Sequence, residues 1–224
     1  MNKRKVILIV LAAVLAVVVL IPAIALIFLQ ARTSALLDDW SGVLEDEKYQ
    51  TPVSVEGIEV ITQNVSCGYA VIEMFARWNG DEITEETLYE EYGKVVTSTG
   101  NAFCDEMNKR FPGYTTTARK YLKNSELIGL VYENLSNGIP VPFEWAAKDR
   151  DAWTLHYSLI TGIDIPRDQI TVANPYGYIE ELPIGEFLKR TSFEAYENMP
   201  LFLKLGFAFG IFEKNTVFTV ETVA

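Results

Sequence analysis

The sequence predicts an α+β domain that follows a long apolar segment at the N-terminus. In the first half of the domain, apolar residues recur three and four positions apart, whereas the second half is rich in Ile, Val, Thr and Tyr. Helices followed by antiparallel strands are typical of the α+β class. We expect a cytoplasmic flank and anchor at residues 1–32, a connector at 33–56 and one domain at 57–224.

The first element is an uncharged apolar run from Val6 to Leu29, preceded by the basic residues 3–5. About twenty apolar residues cross the hydrocarbon core of a bilayer, so this run is long enough to span it. The basic flank predicts a cytoplasmic N-terminus and therefore an extracytoplasmic domain. Ala23-Ile24-Ala25 fits a signal-peptide cleavage site, so secretion after cleavage is the alternative. The apolar run continues past that site, which favours the anchor.

The remainder of the chain is acidic. Three of the nineteen basic residues belong to the flank of the anchor, so sixteen are left against thirty Asp and Glu. This balance argues against nucleic acid and anionic lipid headgroups as partners, because both are negatively charged.

The helical half begins with a short apolar strand predicted at 58–61. Ser66 can cap a helix that runs to Trp78, and Thr84 can cap a second helix whose first turn carries Glu85 and Glu86. Two further helices are predicted, at 102–111 and at 126–136.

The strand half begins at 139–145, where two prolines favour an edge strand. The remaining predicted elements are strands at 155–163, 169–173 and 178–182, a short helix at 184–191 and an apolar segment at 201–212.

His156 is the only histidine in the chain and hence the one candidate imidazole base. If the hairpin turn lies near Pro166, antiparallel partners have numbers that sum to about 330–332, and His156 faces positions 174–176. Asn174 therefore comes close to His156 at the open end of the hairpin, where its amide can orient the ring.

Cys67 stands at the start of a predicted helix, where free backbone N–H groups stabilise a thiolate. Its own N–H can bind an oxyanion, and Gln63 can supply the second N–H of an oxyanion hole. A nearby imidazolium would lower the pKa of the thiol further. Gln63, Cys67, His156 and Asn174 together are the residue types that a thiol hydrolase requires.

The second cysteine, Cys104, lies on an apolar helical stripe with Phe103, Met107 and Phe111. A buried free thiol is expected there. The alternative is a disulfide with Cys67, since the compartment is oxidising, and it would remove the nucleophile.

Three segments, Gln63-Asn64-Val65-Ser66-Cys67-Gly68, the run from His156 to Asp164, and Ile170-Thr171-Val172-Ala173-Asn174-Pro175, resemble the C39-like (bacteriocin-processing-peptidase-like) branch of papain-type cysteine peptidases. The resemblance covers residues 57–212 and implies a papain-like fold. It also implies a nucleophile at Cys67, a base at His156, an orienting residue at Asn174 and an oxyanion-hole donor at Gln63. The chain departs from the family at Tyr69, where Pro is usual, and at Asn174, where Asp is usual.

We therefore predict a membrane-anchored extracytoplasmic cysteine peptidase that acts on peptides or proteins. No cofactor is expected, and one histidine with scattered carboxylates makes a poor metal site. Two alternatives remain open. In the first, the same four residues serve an amidase or acyl transferase that acts on cell-wall peptides. In the second, the domain is catalytically inactive and binds peptides in the groove where an active peptidase would cleave them.

Overall fold

The protein is described here by a computed structural model that covers residues 3–223. Residues 1, 2 and 224, at the ends of the first and last predicted segments, lie outside the described residues. The helices are α1 (Lys3–Leu36), α2 (Ser41–Glu45), α3 (Cys67–Asn79), α4 (Glu85–Tyr92), α5 (Gly100–Arg110), α6 (Asn124–Ser136), α7 (Ile184–Thr191) and α8 (Leu201–Ala208). The strands are β1 (Val53–Ser54), β2 (Tyr114–Arg119), β3 (Val141–Asp149), β4 (Ala152–Asp164), β5 (Gln169–Asn174), β6 (Tyr178–Leu182) and β7 (Thr216–Thr222).

The seven strands form one antiparallel sheet in the order β2-β7-β3-β4-β5-β6, and β1 pairs with β4 on the edge opposite β5, beyond the end of β3. Successive residues of a strand point to opposite faces. Accordingly, Leu159 and Phe218 pack on one face of the sheet, and their neighbours Ile160 and Val217 pack on the other. The α+β class is thus confirmed.

Helices cover both faces. Helices α3 and α5 pack on the face that carries Leu159, through Tyr69, Phe75 and Phe103 among others. Helices α6 and α7 pack on the opposite face around Phe143 and Phe187. The sheet is therefore buried between two apolar layers, and its central strands are rigid supports for any side chain at their ends.

The N-terminal helix α1 has 34 residues, so it is about 51 Å long. It is the one helix within residues 3–223 that is long and apolar enough to cross a membrane, with a mean hydropathy of 3.3 and no buried residue in its most apolar window. Its C-terminal end touches the domain, where Leu29 packs beside Phe207 of α8. The residues that follow also pack on the domain, since Asp38 accepts a hydrogen bond from the Ser125 backbone N–H at 3.2 Å.

Two local predictions are wrong. Residues 58–61 form no strand, and an isolated bridge between Thr62 and Tyr176 lies just after them. Strand β3 is central rather than at an edge, because β7 pairs with it on the side away from β4. Proline is tolerated there because β7 pairs with β3 only at Phe143 and Glu144, beyond Pro142.

Candidate active site

The hairpin of β4 and β5 brings His156 and Asn174 together. Leu159 pairs with Ala173 and Ile160 with Val172, so the partner numbers sum to 332, the upper end of the predicted range. A bulge near the turn shifts the register beyond this point but leaves the open end unchanged. His156 Nε2 lies 3.1 Å from Asn174 Oδ1, and both residues are buried.

The hydrogen bonds of Asn174 fix which way its amide points. Oδ1 accepts the backbone N–H of Tyr176 at 3.0 Å, and Nδ2 donates to Glu180 Oε2 at 3.2 Å. The group that faces His156 is therefore the amide oxygen, which can only accept. His156 Nε2 must carry a hydrogen, which leaves Nδ1 with the lone pair that a general base needs.

The imidazole of His156 is also held from its face. The Tyr176 ring stacks on it with a centroid distance of 4.2 Å and an interplanar angle of 20°. The Tyr176 hydroxyl is bound to Thr154 at 2.9 Å, which anchors the stacking ring to β4. Burial lowers the pKa of His156 to about 4, and the hydrogen bond that its ring donates to Asn174 offsets this only in part.

Cys67 is the first residue of α3. The side chain of Ser66 caps the helix by accepting the Tyr69 backbone N–H at 3.1 Å. Backbone N–H groups of Tyr157, Gly68 and Cys67 itself lower the pKa of the thiol, but burial outweighs them and raises it above its ordinary value. Cys67 lines one cavity with His156 and Tyr157, so the start of α3 lies against β4.

Cys67 and His156 line the same cavity, as the predicted roles of nucleophile and base require. Their ionisation differs from the expected thiolate and imidazolium. Burial disfavours both charged forms, so the neutral thiol and neutral imidazole are the favoured state at neutral pH.

Gln63 lies on the same side of the site as Asn174. Its backbone N–H donates to the Pro175 carbonyl at 2.7 Å, and its neighbour Thr62 bridges to Tyr176. The side-chain oxygen of Gln63 is buried without a hydrogen-bond partner within residues 3–223. The unpaired atom is a hydrogen-bond acceptor, so the predicted role of the Gln63 amide as an oxyanion donor stays a prediction.

The buried carboxylate of Glu85 holds the loop between Gln63 and Cys67. The sequence predicted only that Glu85 lies in the first turn of a helix. Glu85 accepts the backbone N–H groups of Asn64, Val65 and Ser66 at 2.7, 3.2 and 3.0 Å. Its own N–H donates to Glu73 Oε2 at 2.8 Å. No sequence pattern signals this contact, because the loop and α4 are about twenty residues apart.

Gly68 allows the close approach of a second loop. A methyl group at this position would overlap the Thr97 hydroxyl. Thr97 and Gly68 both line the cavity of Cys67, so the glycine keeps the cavity wall in place.

Cys104 takes no part in this site. Both cysteines are free thiols, and Cys104 packs in the core beside Phe103 and Met107, as predicted. Burial raises its pKa to about 11, so it is protonated at neutral pH. Within residues 3–223, no group of three His, Cys, Asp or Glu side chains is placed to bind a metal.

Comparison with known proteins gives a family and a fold. Residues 55–200 match the Peptidase_C39 like family. A search of curated proteins finds no match. The fold is similar to that of a solved double glycine motif protease from an AMS/PCAT transporter in complex with the leader peptide, with 14% identity and a TM-score of 0.51 over 77% of this chain and 98% of that chain.

At 14% identity the solved structure establishes the fold alone, which is that of a papain-like peptidase. The family match is independent of it and spans well over half of the sequence, including Gln63, Cys67, His156 and Asn174. The chain belongs to the Peptidase_C39 like family of cysteine peptidases.

Proposed function

We propose that the protein is a membrane-anchored cysteine peptidase that hydrolyses peptide bonds on the extracytoplasmic side of the membrane. Cys67 is the nucleophile, His156 the general base and acid, Asn174 the residue that orients His156, and Gln63 a donor of the oxyanion hole. One observation carries the proposal: Cys67 and His156 line one cavity while Asn174 occupies Nε2 of the imidazole. Nδ1 is thereby left for the thiol proton.

The reaction begins from the neutral pair. The Cys67 sulfur attacks the carbonyl carbon of the scissile amide while its proton passes to His156 Nδ1. The oxyanion that forms accepts hydrogen bonds from the Cys67 backbone N–H and the Gln63 amide. His156 then donates the proton to the leaving amine, and the C–N bond breaks to give a thioester. Water, deprotonated by His156, hydrolyses the thioester and regenerates the thiol.

Asn174 contributes orientation rather than charge in this scheme. A carboxylate in its place would stabilise an imidazolium, whereas an amide holds the ring and its tautomer without a full charge. Burial accounts for the low pKa of His156, and the hydrogen bond to Asn174 and the charge of Asp149 raise that pKa only in part. The imidazolium therefore exists only transiently, between the attack and the departure of the amine.

A peptide substrate and a membrane location have separate support. The structurally similar protease is described in complex with the leader peptide, which supports a peptide as the substrate class of this chain. Helix α1 has the length and composition of a membrane span, and Lys3 and Lys5 at its N-terminal end favour a cytoplasmic start.

The peptidase activity is tested with the full chain in detergent micelles and a mixture of peptides of diverse sequence, followed by mass spectrometry. We expect new termini that disappear in Cys67→Ala and in His156→Ala. The matched control is Cys104→Ala, which removes the other thiol and should retain cleavage. Cleavage that survives in Cys67→Ala, or none in the unaltered protein, would reject the proposal.

The membrane topology is tested separately in cells that express the full chain. An integral protein stays in the membrane after extraction at alkaline pH, and an external protease should digest the domain in intact cells. Recovery in the soluble fraction, with loss of the first residues, would instead indicate cleavage after Ala25.

A second candidate is an inactive module that binds peptides. It is favoured by one observation, the burial that keeps both Cys67 and His156 uncharged. This candidate predicts peptide binding that persists in Cys67→Ala and no covalent adduct between Cys67 and a peptide carrying an electrophile at its C-terminus. An adduct that requires His156 would exclude it.

A further inference from the structure

The cavity of Cys67 and His156 extends beyond the two reacting groups. It has about 170 Å³ of free space, roughly ten times the ~10–15 Å³ that admits one water molecule, so an amino-acid side chain fits. Apolar side chains form most of its wall, and two carboxylates lie among them. We call this space the acidic pocket; its apolar residues are Val95, Leu155, Phe193 and Phe212, and its carboxylates are Glu144 and Glu213.

The two carboxylates differ in their partners. Glu213 forms an ion pair with Lys120 at 2.8 Å. Glu144, on β3 opposite Tyr157, has no cation within ion-pair distance among residues 3–223. Lys120 lowers the pKa of Glu144 through its charge, but that cation is already bound to Glu213.

A carboxylate that is half-buried in a cavity and has no ion-pair partner is costly in free energy, because water solvates the charge poorly. Burial raises the pKa of Glu144 to about 7, and the charge of Glu213 adds to the effect. A hydrogen bond from Tyr157 and the charge of Lys120 lower the pKa of Glu144 but offset the cost of burial only in part, whereas a cation bound in the pocket would offset it further. The position is therefore suited to a ligand with a positive charge.

We propose that the acidic pocket binds a lysine or arginine side chain of the substrate, at a residue next to the bond that Cys67 attacks. Such side chains combine an aliphatic stem with a charged head. The apolar walls fit the stem, and the Glu144 carboxylate fits the head. The inference rests on the proposed peptidase function and adds the class of substrate.

Binding of a basic side chain also acts on the nucleophile. The negative charge of Glu144 raises the pKa of the Cys67 thiol, so a cation that neutralises it favours the thiolate. The bound substrate would thus increase the reactivity of the thiol that attacks it. The other titratable groups that interact with Glu144 are Glu213, Lys120, Tyr157 and Cys104.

The test uses irreversible peptide chloromethyl ketones and therefore requires no turnover. The Cys67 thiolate displaces chloride from the reagent, which forms a thioether and leaves the thiol proton with His156. Lysine is compared with norleucine, its uncharged counterpart of similar shape, at the first or the second residue from the reactive group. Labelling rates of the full chain in micelles are measured by mass spectrometry and divided by the rate for iodoacetamide, which has no side chain to place in the pocket.

We expect lysine to label Cys67 about tenfold or more faster than norleucine at one of the two positions, which corresponds to ~1.4 kcal/mol. The preference should fall close to one in Glu144→Gln, which keeps the shape and removes the charge. The matched control is Glu181→Gln on β6, an exposed carboxylate outside the pocket, and it should retain the preference. In the unaltered protein the preference should also increase from pH 5 to pH 8, as Glu144 ionises.

Equal rates for lysine and norleucine at both positions, in a protein that cleaves peptides, would overturn the inference and leave the peptidase function intact. A lysine preference that survives in Glu144→Gln, or one that is independent of pH, would overturn the role of Glu144. Failure of every chloromethyl ketone to label Cys67 would overturn the peptidase function and, with it, this inference.

Discussion

Asn174 and Glu180 are joined side chain to side chain, with Nδ2 of the amide 3.2 Å from Oε2 of the carboxylate. The other oxygen of Glu180 binds Arg190 at 2.6 Å. The opposite end of the amide faces His156. The Glu180 carboxylate thus contacts the side of the Asn174 amide that faces away from His156. The sequence has Asn at this position, where Asp is usual in the family that it resembles.

This arrangement predicts that Asn174→Asp impairs the enzyme, although Asp is the usual residue of the family. The new carboxylate would face the partly buried Glu180, and two adjacent carboxylates repel each other. We expect kcat/KM on a cleaved peptide to fall by about tenfold or more, equivalent to ~1.4 kcal/mol. Adding Glu180→Gln should restore activity, and should raise the pKa of His156 in the pH profile.

Glu186→Gln is the matched control for this pair of substitutions, because Glu186 also binds Arg190 but does not touch Asn174. It should not rescue Asn174→Asp. Full activity of the single Asn174→Asp variant would show that Glu180 does not constrain this position.

Glu85→Gln should weaken the loop that carries Gln63 and precedes Cys67. The amide replaces one of the accepting oxygens by a donor, so backbone N–H groups of Asn64 to Ser66 lose a partner. We expect a loss of about 1–3 kcal/mol in the free energy of unfolding and a lower kcat with a smaller change in KM. Glu86→Gln, an exposed neighbour in the same first turn, should change neither. A stability loss with unaltered kcat would show that the loop contact is structural only.

The pH dependence of Cys67 alkylation follows from the direction of its pKa. Because burial raises that pKa, the thiolate fraction is small at neutral pH and increases beyond pH 9. We expect the rate of iodoacetamide labelling to rise steadily from pH 6 to pH 9. Glu144→Gln should accelerate it, since Glu144 raises the pKa of the thiol. A rate that is already maximal at pH 6 and collapses in His156→Ala would instead demonstrate a preformed ion pair.

Glu144 should also affect stability in a pH-dependent way. Its pKa is about 7 in the folded protein against an ordinary 4.5, so the folded state holds the proton more tightly between these values. The stability contribution is present below about pH 4.5 and is lost as the pH rises towards 7, by roughly 2–4 kcal/mol. His156, with its lowered pKa, acts in the opposite direction over a similar range. The informative measurement is therefore the difference in Tm between Glu144→Gln and the unaltered protein, which should increase from pH 5 to pH 7. A constant difference would contradict the raised pKa.

Elements with a clear local signal were predicted closely. The capped helix after Ser66 and the helix after Thr84 begin where the sequence indicates, because an N-cap side chain satisfies backbone N–H groups within its own turn. The short helix at 184–191 has the predicted bounds. Strand β7 was missed although it is rich in Thr and Val, since its place in the sheet depends on β2, about a hundred positions earlier in the chain.

The same distinction holds for the site. The sequence alone determined the approach of His156 to Asn174, because both belong to one hairpin whose turn sets the register. It also placed Cys67 at a helix start and identified the family through the residues around these positions.

Only the tertiary structure decided how those residues are charged and supported. The contact of Glu85 with the loop before Cys67 depends on how separate elements pack. The burial of Cys67, His156 and Glu144 depends on the helices and strands that exclude water from one cavity. A side chain's pKa is set by desolvation and by charges brought close in space, and neither can be read from the residue's neighbours along the chain.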